Sequence, residues 1–308
     1  MYRRFATVEA AGRSPVYAEI TDRISRDAPT LTFLAALPPL KRQPNLLLAA
    51  VQYLRGPLTG WAAFADALAE PGDVAHVIRT RSTQTNIPAR CATLLPALAQ
   101  LPQPLALVEV GTSAGLCLYP DRYGYDYGGV VLPGAPALCC TANPATPLPG
   151  KKVDVVWRAG LDLNPLDVTD PDDRAWLDAL VWPGEEHLRD QLHVAAGVAT
   201  ADPPHLVRGD LLTDLPALLA DAPRDATLVV FHTAVLMYLD VPADRARFAA
   251  TVSASSAVWL ANEAPERIPG LDPAAVGAHP EGMFLLCRDG RPLACTDPHG
   301  SRIDWLTT

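Results

Sequence analysis

The sequence predicts an α/β protein, with an all-helical N-terminal domain over residues 1–102 and a sheet domain over residues 103–308. Three observations predict it. Residues 1–102 hold apolar residues at helical spacing and no run that reads as a strand. Short apolar runs then recur, each ending in glycine or a polar residue, as strands buried on both faces of a parallel sheet do. Finally, Met283–Cys287 and Pro292–Cys295 flank Asp289-Gly290, a two-residue hairpin signal. The expected sheet therefore has five parallel strands closed by an antiparallel hairpin.

In the helical part, Tyr2–Ala11, Pro15–Arg26, Gln43–Leu54, Thr59–Ala69 and Ala89–Leu101 read as short amphipathic helices punctuated by glycine and proline. Leu47, Val51 and Leu54 share a face, and Pro44 suits a first helical turn. One polar segment, Arg79-Thr-Arg-Ser-Thr-Gln-Thr-Asn-Ile-Pro-Ala-Arg90, sets three arginines, a glutamine and an asparagine just before a helix. Arginine forks match carboxylates and phosphates, so this segment is either an anion-binding rim or a solvated loop.

The first strand, Leu105–Val110, runs into Gly111-Thr-Ser-Ala-Gly115. Two glycines around small residues permit a tight turn and close approach of backbone to a ligand. The chain after Gly115 is expected to enter a helix whose N-terminus faces the same crevice. Glu109-x-Gly111-x-Ser113-x-Gly115 is similar to the first motif of class I S-adenosylmethionine (SAM) methyltransferases. The same residues also spell G-x-S-x-G, the nucleophile elbow of α/β-hydrolases. A ligand-free strand-to-helix turn is the third reading.

Residues Tyr119–Gly150 read as an irregular insertion whose tyrosines line a pocket or pack the fold. A second strand, Val153–Arg158, leads to Asp162, placed to accept hydrogen bonds from a ribose diol. Thr169 reads as the cap of a helix bearing Trp176 and Leu177. A third strand from Pro204 ends at Asp210, which would face an adenine amino group. The fourth, Thr227–His232, ends in a candidate general base, His232; the fifth, Ala257–Glu263, ends in Glu263, a second candidate catalytic residue. Pro242–Ser253 between them reads as a helix.

Net charge is −9 and only Lys41, Lys151 and Lys152 are lysines, with no basic stripe, so nucleic acid is a poor candidate partner. No apolar run reaches membrane-span length, and Met1–Ala6 leads into no signal-peptide core, so a cytoplasmic protein is expected. The six cysteines form no C-x-x-C pair, which argues against zinc, and no metal site is expected.

Several motifs together resemble the DUF2332 family: Leu107-Val-Glu-Val-Gly-Thr-Ser-Ala-Gly-Leu, Trp157-Arg-Ala-Gly-Leu-Asp-Leu-Asn-Pro, Leu180-Val-Trp-Pro, Arg208-Gly-Asp and Pro298-His-Gly. Arg42-Gln-Pro-Asn and Arg81-Ser-Thr-Gln-Thr-Asn belong to the same set, so the resemblance spans nearly the whole chain. That family is largely actinobacterial, and its core is similar to class I SAM-dependent methyltransferases. The resemblance implies a Rossmann-like sheet and SAM as cofactor. It places Glu109, Gly111, Ser113 and Gly115 at the SAM corner, Asp162 on ribose and Asp210 on adenine. Ser113 departs from the glycine usual there. Arg81, Gln84, Asn86 and Arg90 would hold a small acidic or polar substrate between the helical cap and the sheet, with His299 a further candidate. The alternatives are a serine hydrolase using Ser113 and His299, with Asp240 or Glu263 orienting, and a SAM-fold binding protein without catalysis.

Overall fold

A computed structural model of the chain describes residues 1–84, 86–271 and 279–307. The chain forms two compact units: Met1–Thr85 with Asp167–Leu192, and Asn86–Leu166 with His193–Thr308. In chain order the first helices are α1 (Tyr2–Arg4), α2 (Pro15–Ile24), α3 (Ala28–Ala35), α4 (Pro44–Arg55), α5 (Trp61–Ala67) and α6 (Pro71–Thr80). Then come α7 (Arg90–Leu98), β1 (Leu105–Val110), β2 (Gly124–Asp126), β3 (Val131–Leu132), β4 (Ala137–Cys139), β5 (Thr141–Ala142) and β6 (Val155–Asp162). After α8 (Pro171–Ala179) and α9 (Glu186–Ala201) follow β7 (His205–Arg208), α10 (Leu215–Ala220), β8 (Thr227–Thr233) and α11 (Pro242–Ser253). The chain closes with β9 (Val258–Glu263), β10 (Phe284–Arg288), β11 (Arg291–Thr296) and β12 (Arg302–Trp305).

The first unit is helical. Its centre is α4, where Pro44 sits in the first turn and Leu46 through Gln52 are all buried. Gln52 is the one polar residue in that run, and it is fully engaged. Its Nε2 donates to the Ala179 and Val181 carbonyls at 2.9 and 3.1 Å, and its Oε1 accepts from Leu58 N–H at 3.1 Å. Trp176 of α8 is wholly buried and donates its indole N–H to the Ser82 carbonyl at 3.1 Å. So Asp167–Leu192, expected to lie with the sheet, packs against the N-terminal helices instead. Apolar area decides this: a segment carrying Trp176, Leu177 and Trp182 has more to bury there than its own periodicity reveals. The cap of α8 is Asp170 rather than Thr169, because Pro171 occupies the first helical position and Asp170 Oδ1 accepts from Asp172 N–H at 2.8 Å.

The second unit is a mixed sheet of nine strands among the described residues, in the order β5-β12-β11-β10-β9-β8-β1-β6-β7. Strands β7, β6, β1, β8 and β9 run parallel; β10, β11 and β12 continue as an antiparallel meander. Counted along the chain, the parallel strands lie in the order third, second, first, fourth, fifth. All six residues of β1 are buried at the centre. Strand periodicity gives each side of the sheet its own residues. Val108, Val110, Ala159, Leu161, Val230, Trp259 and Ala261 form a cluster with Leu215 and Leu218 of α10 and Phe248 and Val252 of α11. Leu107, Glu109, Phe231, Thr233, Leu260 and Asn262 alternate with them and so face the opposite side.

The hairpin forms as expected, with Asp289 and Gly290 both at positive φ. Two expectations about the corner's surroundings are corrected. Strand β6 extends through Gly160 and Leu161 to Asp162, which pair with the end of β1 and with β7. The chain after Gly115 enters only a three-residue 3-10 turn, Leu116–Leu118. An α-helix there would need an N–H from residue 120 for the Leu116 carbonyl, and Pro120 has none. The Tyr123 hydroxyl donates to that carbonyl at 2.6 Å instead. Residues 119–150 are not shapeless: β2, β3 and β4 make a small sheet in the order β3-β2-β4. Tyr119, Tyr123, Tyr125 and Tyr127 are buried, each hydroxyl donating to a backbone carbonyl. They pack the fold.

A Cβ at Gly160 would stand 2.5 Å from both Thr112 Cγ2 and Oγ1, whereas one at Gly197 in α9 would meet nothing within 4 Å. Gly160→Ala is therefore expected to destabilise by about 1–3 kcal/mol through overpacking. Gly197→Ala is expected to stabilise by roughly 0.5–1 kcal/mol. Urea unfolding of the two variants checks both signs.

Candidate functional site

The strand order reverses between β1 and β8, and in open parallel sheets ligands bind beyond the carboxyl ends of the strands at such a reversal. Two segments meet there: the corner Gly111–Gly115 after β1, and Ala234–Tyr238 after β8. A Cβ on Gly111 would lie 2.4 Å from Val235 Cγ2. Gly111, Ser113 and Gly115 all have positive φ (69°, 49° and 70°). Ser113 adopts left-handed backbone at a cost that glycine would avoid.

The corner is held by hydrogen bonds within the unit. Gly111 N–H donates to the Leu161 carbonyl at 2.8 Å and Gly115 N–H to the Thr112 carbonyl at 2.7 Å. Ser113 N–H donates to Asp162 Oδ2 at 2.8 Å, and Ala114 N–H to Asn86 Oδ1 at 3.0 Å. Asn86 Nδ2 in turn donates to Ser113 Oγ at 2.7 Å. Ser113 thus has an amide neighbour and, among the described residues, no hydrogen bond to a histidine. Asp162 Oδ1 also accepts from Asn164 N–H at 2.8 Å. Each carboxylate oxygen keeps further acceptor capacity, and Asp162 is only half-buried. Asp210 is exposed at the end of β7 and caps the following turn by accepting from Leu212 N–H at 2.8 Å.

Glu109 is buried on the face carrying Thr233, where it accepts from Thr112 Oγ1 at 2.9 Å. Burial pushes its carboxyl well above the usual range; the thiol of Cys117 adds to this, while the Thr112 bond and Arg90 oppose it.

His232 and Glu263 come together on the opposite face. Glu263 Oε1 accepts from Val235 N–H at 2.7 Å and Leu236 N–H at 3.2 Å, and meets His232 Nδ1 at 2.6 Å. Trp259 Nε1–H donates to His232 Nε2 at 2.9 Å, so the ring proton belongs on Nδ1, pointing at Glu263. Both histidine nitrogens are spoken for, the ring is fully buried, and Phe248 and Trp259 flank it at centroid distances of 5.4 and 6.0 Å. This arrangement gives no support to His232 as a general base. Here it is a strut linking Trp259 to Glu263, and Glu263 braces the loop after β8.

Arg90, the first residue of α7, is buried on the Glu109 side. Nε donates to the Pro298 carbonyl at 2.8 Å, and Nη1 to Thr233 Oγ1 at 3.0 Å and the Thr233 carbonyl at 3.3 Å. Desolvation pulls its pKa down against the opposing pull of Cys117, Glu263, Glu109 and Tyr238. The turn Asp297–Gly300 packs close by: a Cβ on Gly300 would lie 2.2 Å from the Ala89 carbonyl, and His299 N–H donates to Asp297 Oδ1 at 2.9 Å. Arg81 and Gln84 belong to the helical unit. Arg81 is ion-paired there with Asp172 and, at 2.6 Å, with Asp173, and its guanidinium lies 5.9 Å from the Tyr53 and Trp176 rings. That arginine is committed to the helical unit, a role its position in a polar run does not disclose.

The sequence reading passed over Tyr238, Thr233, Asn262 and Thr296. Tyr238 is exposed on the loop after β8, with Arg90, Asp162 and Glu263 among the charged groups that act on its phenol. Thr296 Oγ1 donates to Asn262 Oδ1 at 2.6 Å, both fully buried. A signal for them existed, since polar residues ending an apolar strand are out of place unless something engages them.

The model of the family described as "Uncharacterized protein conserved in bacteria (DUF2332)" matches residues 1–305. The chain belongs to the DUF2332 family. Comparison with curated proteins and with solved structures returns no match. Among the described residues of this DUF2332 chain no helix is long and apolar enough to cross a membrane.

Two outcomes are expected. Trp259→Phe keeps an aromatic ring but removes the indole N–H from His232 Nε2 and opens a void in the core, at a cost of about 2–4 kcal/mol in denaturant unfolding. Glu109 has a raised folded-state pKa, so the folded chain holds that proton more tightly than the unfolded one. Its contribution to stability therefore falls as pH rises above the ordinary value of 4.5. Glu109→Gln should flatten that fall, measured as unfolding midpoint against pH.

Proposed function

We propose that the sheet unit binds an adenosyl cofactor of the SAM type beyond the carboxyl ends of β1, β6 and β7, and that the chain is a SAM-dependent methyltransferase-like protein acting on a small molecule. One observation carries this reading. A positive-φ glycine corner ends the first strand of a third-second-first-fourth-fifth parallel sheet, with acids at the ends of the second and third strands. Dinucleotide sheets with this order place pyrophosphate at such a corner and a ribose diol on the acid of the neighbouring strand. Asp162 fits that second role because its carboxylate is half-exposed and already fixed by two backbone N–H groups. Asp210, exposed one strand further out, is positioned for an adenine amino group.

The corner departs from the dinucleotide pattern in one respect. Its Ser113 and Ala114 N–H groups are taken by Asp162 and Asn86, and no α-helix N-terminus follows. A sulfonium cofactor carries no phosphate there and needs no bank of free N–H donors, so these features favour an adenosyl-methionine ligand over a dinucleotide. Since His232 is engaged at both nitrogens, the acceptor should be a nucleophile that needs no strong base, transferred to by in-line approach to the sulfonium methyl. The hydrolase alternative draws no support from the Ser113 hydroxyl, whose neighbour is the Asn86 amide.

Calorimetric titration with SAM and S-adenosylhomocysteine tests the reading. Saturable binding is expected, weakened about tenfold or more by Asp210→Ala, a substitution at an exposed position that leaves the corner intact. Asp162→Ala should weaken it further. Absence of binding to both ligands by the folded wild-type chain would overturn the proposal.

A further inference from the structure

The buried face of the sheet unit that carries Glu109 also holds a cation that no carboxylate touches: Glu109 and Glu263 act on Arg90 only through space. Arg90 is 5% exposed, yet its hydrogen bonds go to two neutral carbonyls and a hydroxyl. Among the described residues the bonds of its guanidinium leave from Nε and Nη1, and none of them reaches a carboxylate. Burying a guanidinium without an ionic partner is costly, and the cost is recovered when an anion completes the pair.

A second observation lies alongside. Thr233, which accepts from Arg90 Nη1, is the register partner of Asn262 on β9. Asn262 is 0% exposed; Oδ1 is taken by Thr296 Oγ1, and Nδ2 has no partner. Thr296 occupies one arm of that amide and leaves the other, Nδ2, as an unmade donor beside Thr233. A buried donor left unmade costs free energy in the empty protein. Exposed Tyr238, whose phenol feels Arg90, lies on the loop over this place.

We infer that Arg90 and Asn262 form a carboxylate-binding subsite at the carboxyl ends of β8 and β9. A planar guanidinium fork and an amide N–H together match a carboxylate's two oxygens and discriminate against a neutral amide. The subsite stands on these residues alone and does not depend on the adenosyl reading. The carboxylate is supplied either by a second ligand or by the methionine end of the cofactor.

The experiment compares benzoate and acetate with benzamide and acetamide, at ionic strength held constant with chloride. Binding to the full-length wild type, Asn262→Ala and Arg90→Lys is followed by thermal shift and calorimetry. The carboxylates should bind saturably and the amides should not; Asn262→Ala should weaken carboxylate binding about tenfold, with Arg90→Lys weakening it at least as much. Should Arg90→Lys fail to fold, Asn262→Ala alone decides. Carboxylates that bind no better than their amides, or binding untouched by Asn262→Ala, would overturn the inference. S-adenosylhomocysteine against 5′-methylthioadenosine separates the sources. If Asn262→Ala weakens only the former, the carboxylate is the cofactor's; if benzoate still binds beside S-adenosylhomocysteine, it belongs to a second ligand. Failure of both adenosyl ligands with retained benzoate binding would overturn the methyltransferase reading and leave the subsite standing.

Discussion

Buried backbone at the end of β1 must find hydrogen-bond partners, and the neighbouring structure is arranged around that constraint. A strand buried on both faces delivers a corner whose residues 112–115 are buried, so their N–H groups must be met by protein acceptors rather than by water. Asp162 and Asn86 supply acceptors for two of them, and the Leu161 and Thr112 carbonyls supply the others. This requires β6 to run as far as Asp162, and Gly160 to be bare where Thr112 crosses it. The corner is therefore a rigid product of three chain segments.

The same accounting explains the other side of the reversal. Glu263 collects three hydrogen bonds on one oxygen and holds the start of the loop after β8, while Val235 of that loop fills the space that a glycine leaves at position 111. His232 and Trp259 extend this brace into the apolar cluster beneath α10 and α11. One face of the sheet is thus closed by satisfied polar contacts. The other face keeps an arginine that touches no carboxylate and an amide nitrogen without an acceptor, and that asymmetry is what the proposed carboxylate subsite rests on.

Much of the fold was legible in the sequence because it follows from local periodicity: the apolar strands, the Asp289-Gly290 hairpin, and the helices around Pro15, Pro44 and Pro242. The polar strand ends were legible too, which is how Asp162, His232 and Glu263 could be singled out. Their roles were not. A histidine after a strand looks the same whether its nitrogens face a crevice or a tryptophan, and Arg81 reads as an anion ligand until Asp172 and Asp173 are seen beside it. The missing helix after Gly115 was foreshadowed by Pro120, whose effect depends on a carbonyl four residues earlier.

By itself the sequence determined the parallel strands, the closing hairpin and several of the helices, since these depend on residues within one or two turns of each other. It also carried the family, through motifs that hold their spacing along the whole chain. Only the tertiary structure decided which element belongs to which unit, because Asp167–Leu192 chooses its partners by buried area across more than a hundred residues. Only it separated the engaged polar groups from the unengaged ones. Whether His232 is a strut and Arg90 an open cation depends on which side of the sheet each one faces and on what else is buried there, and both are properties of the assembled sheet.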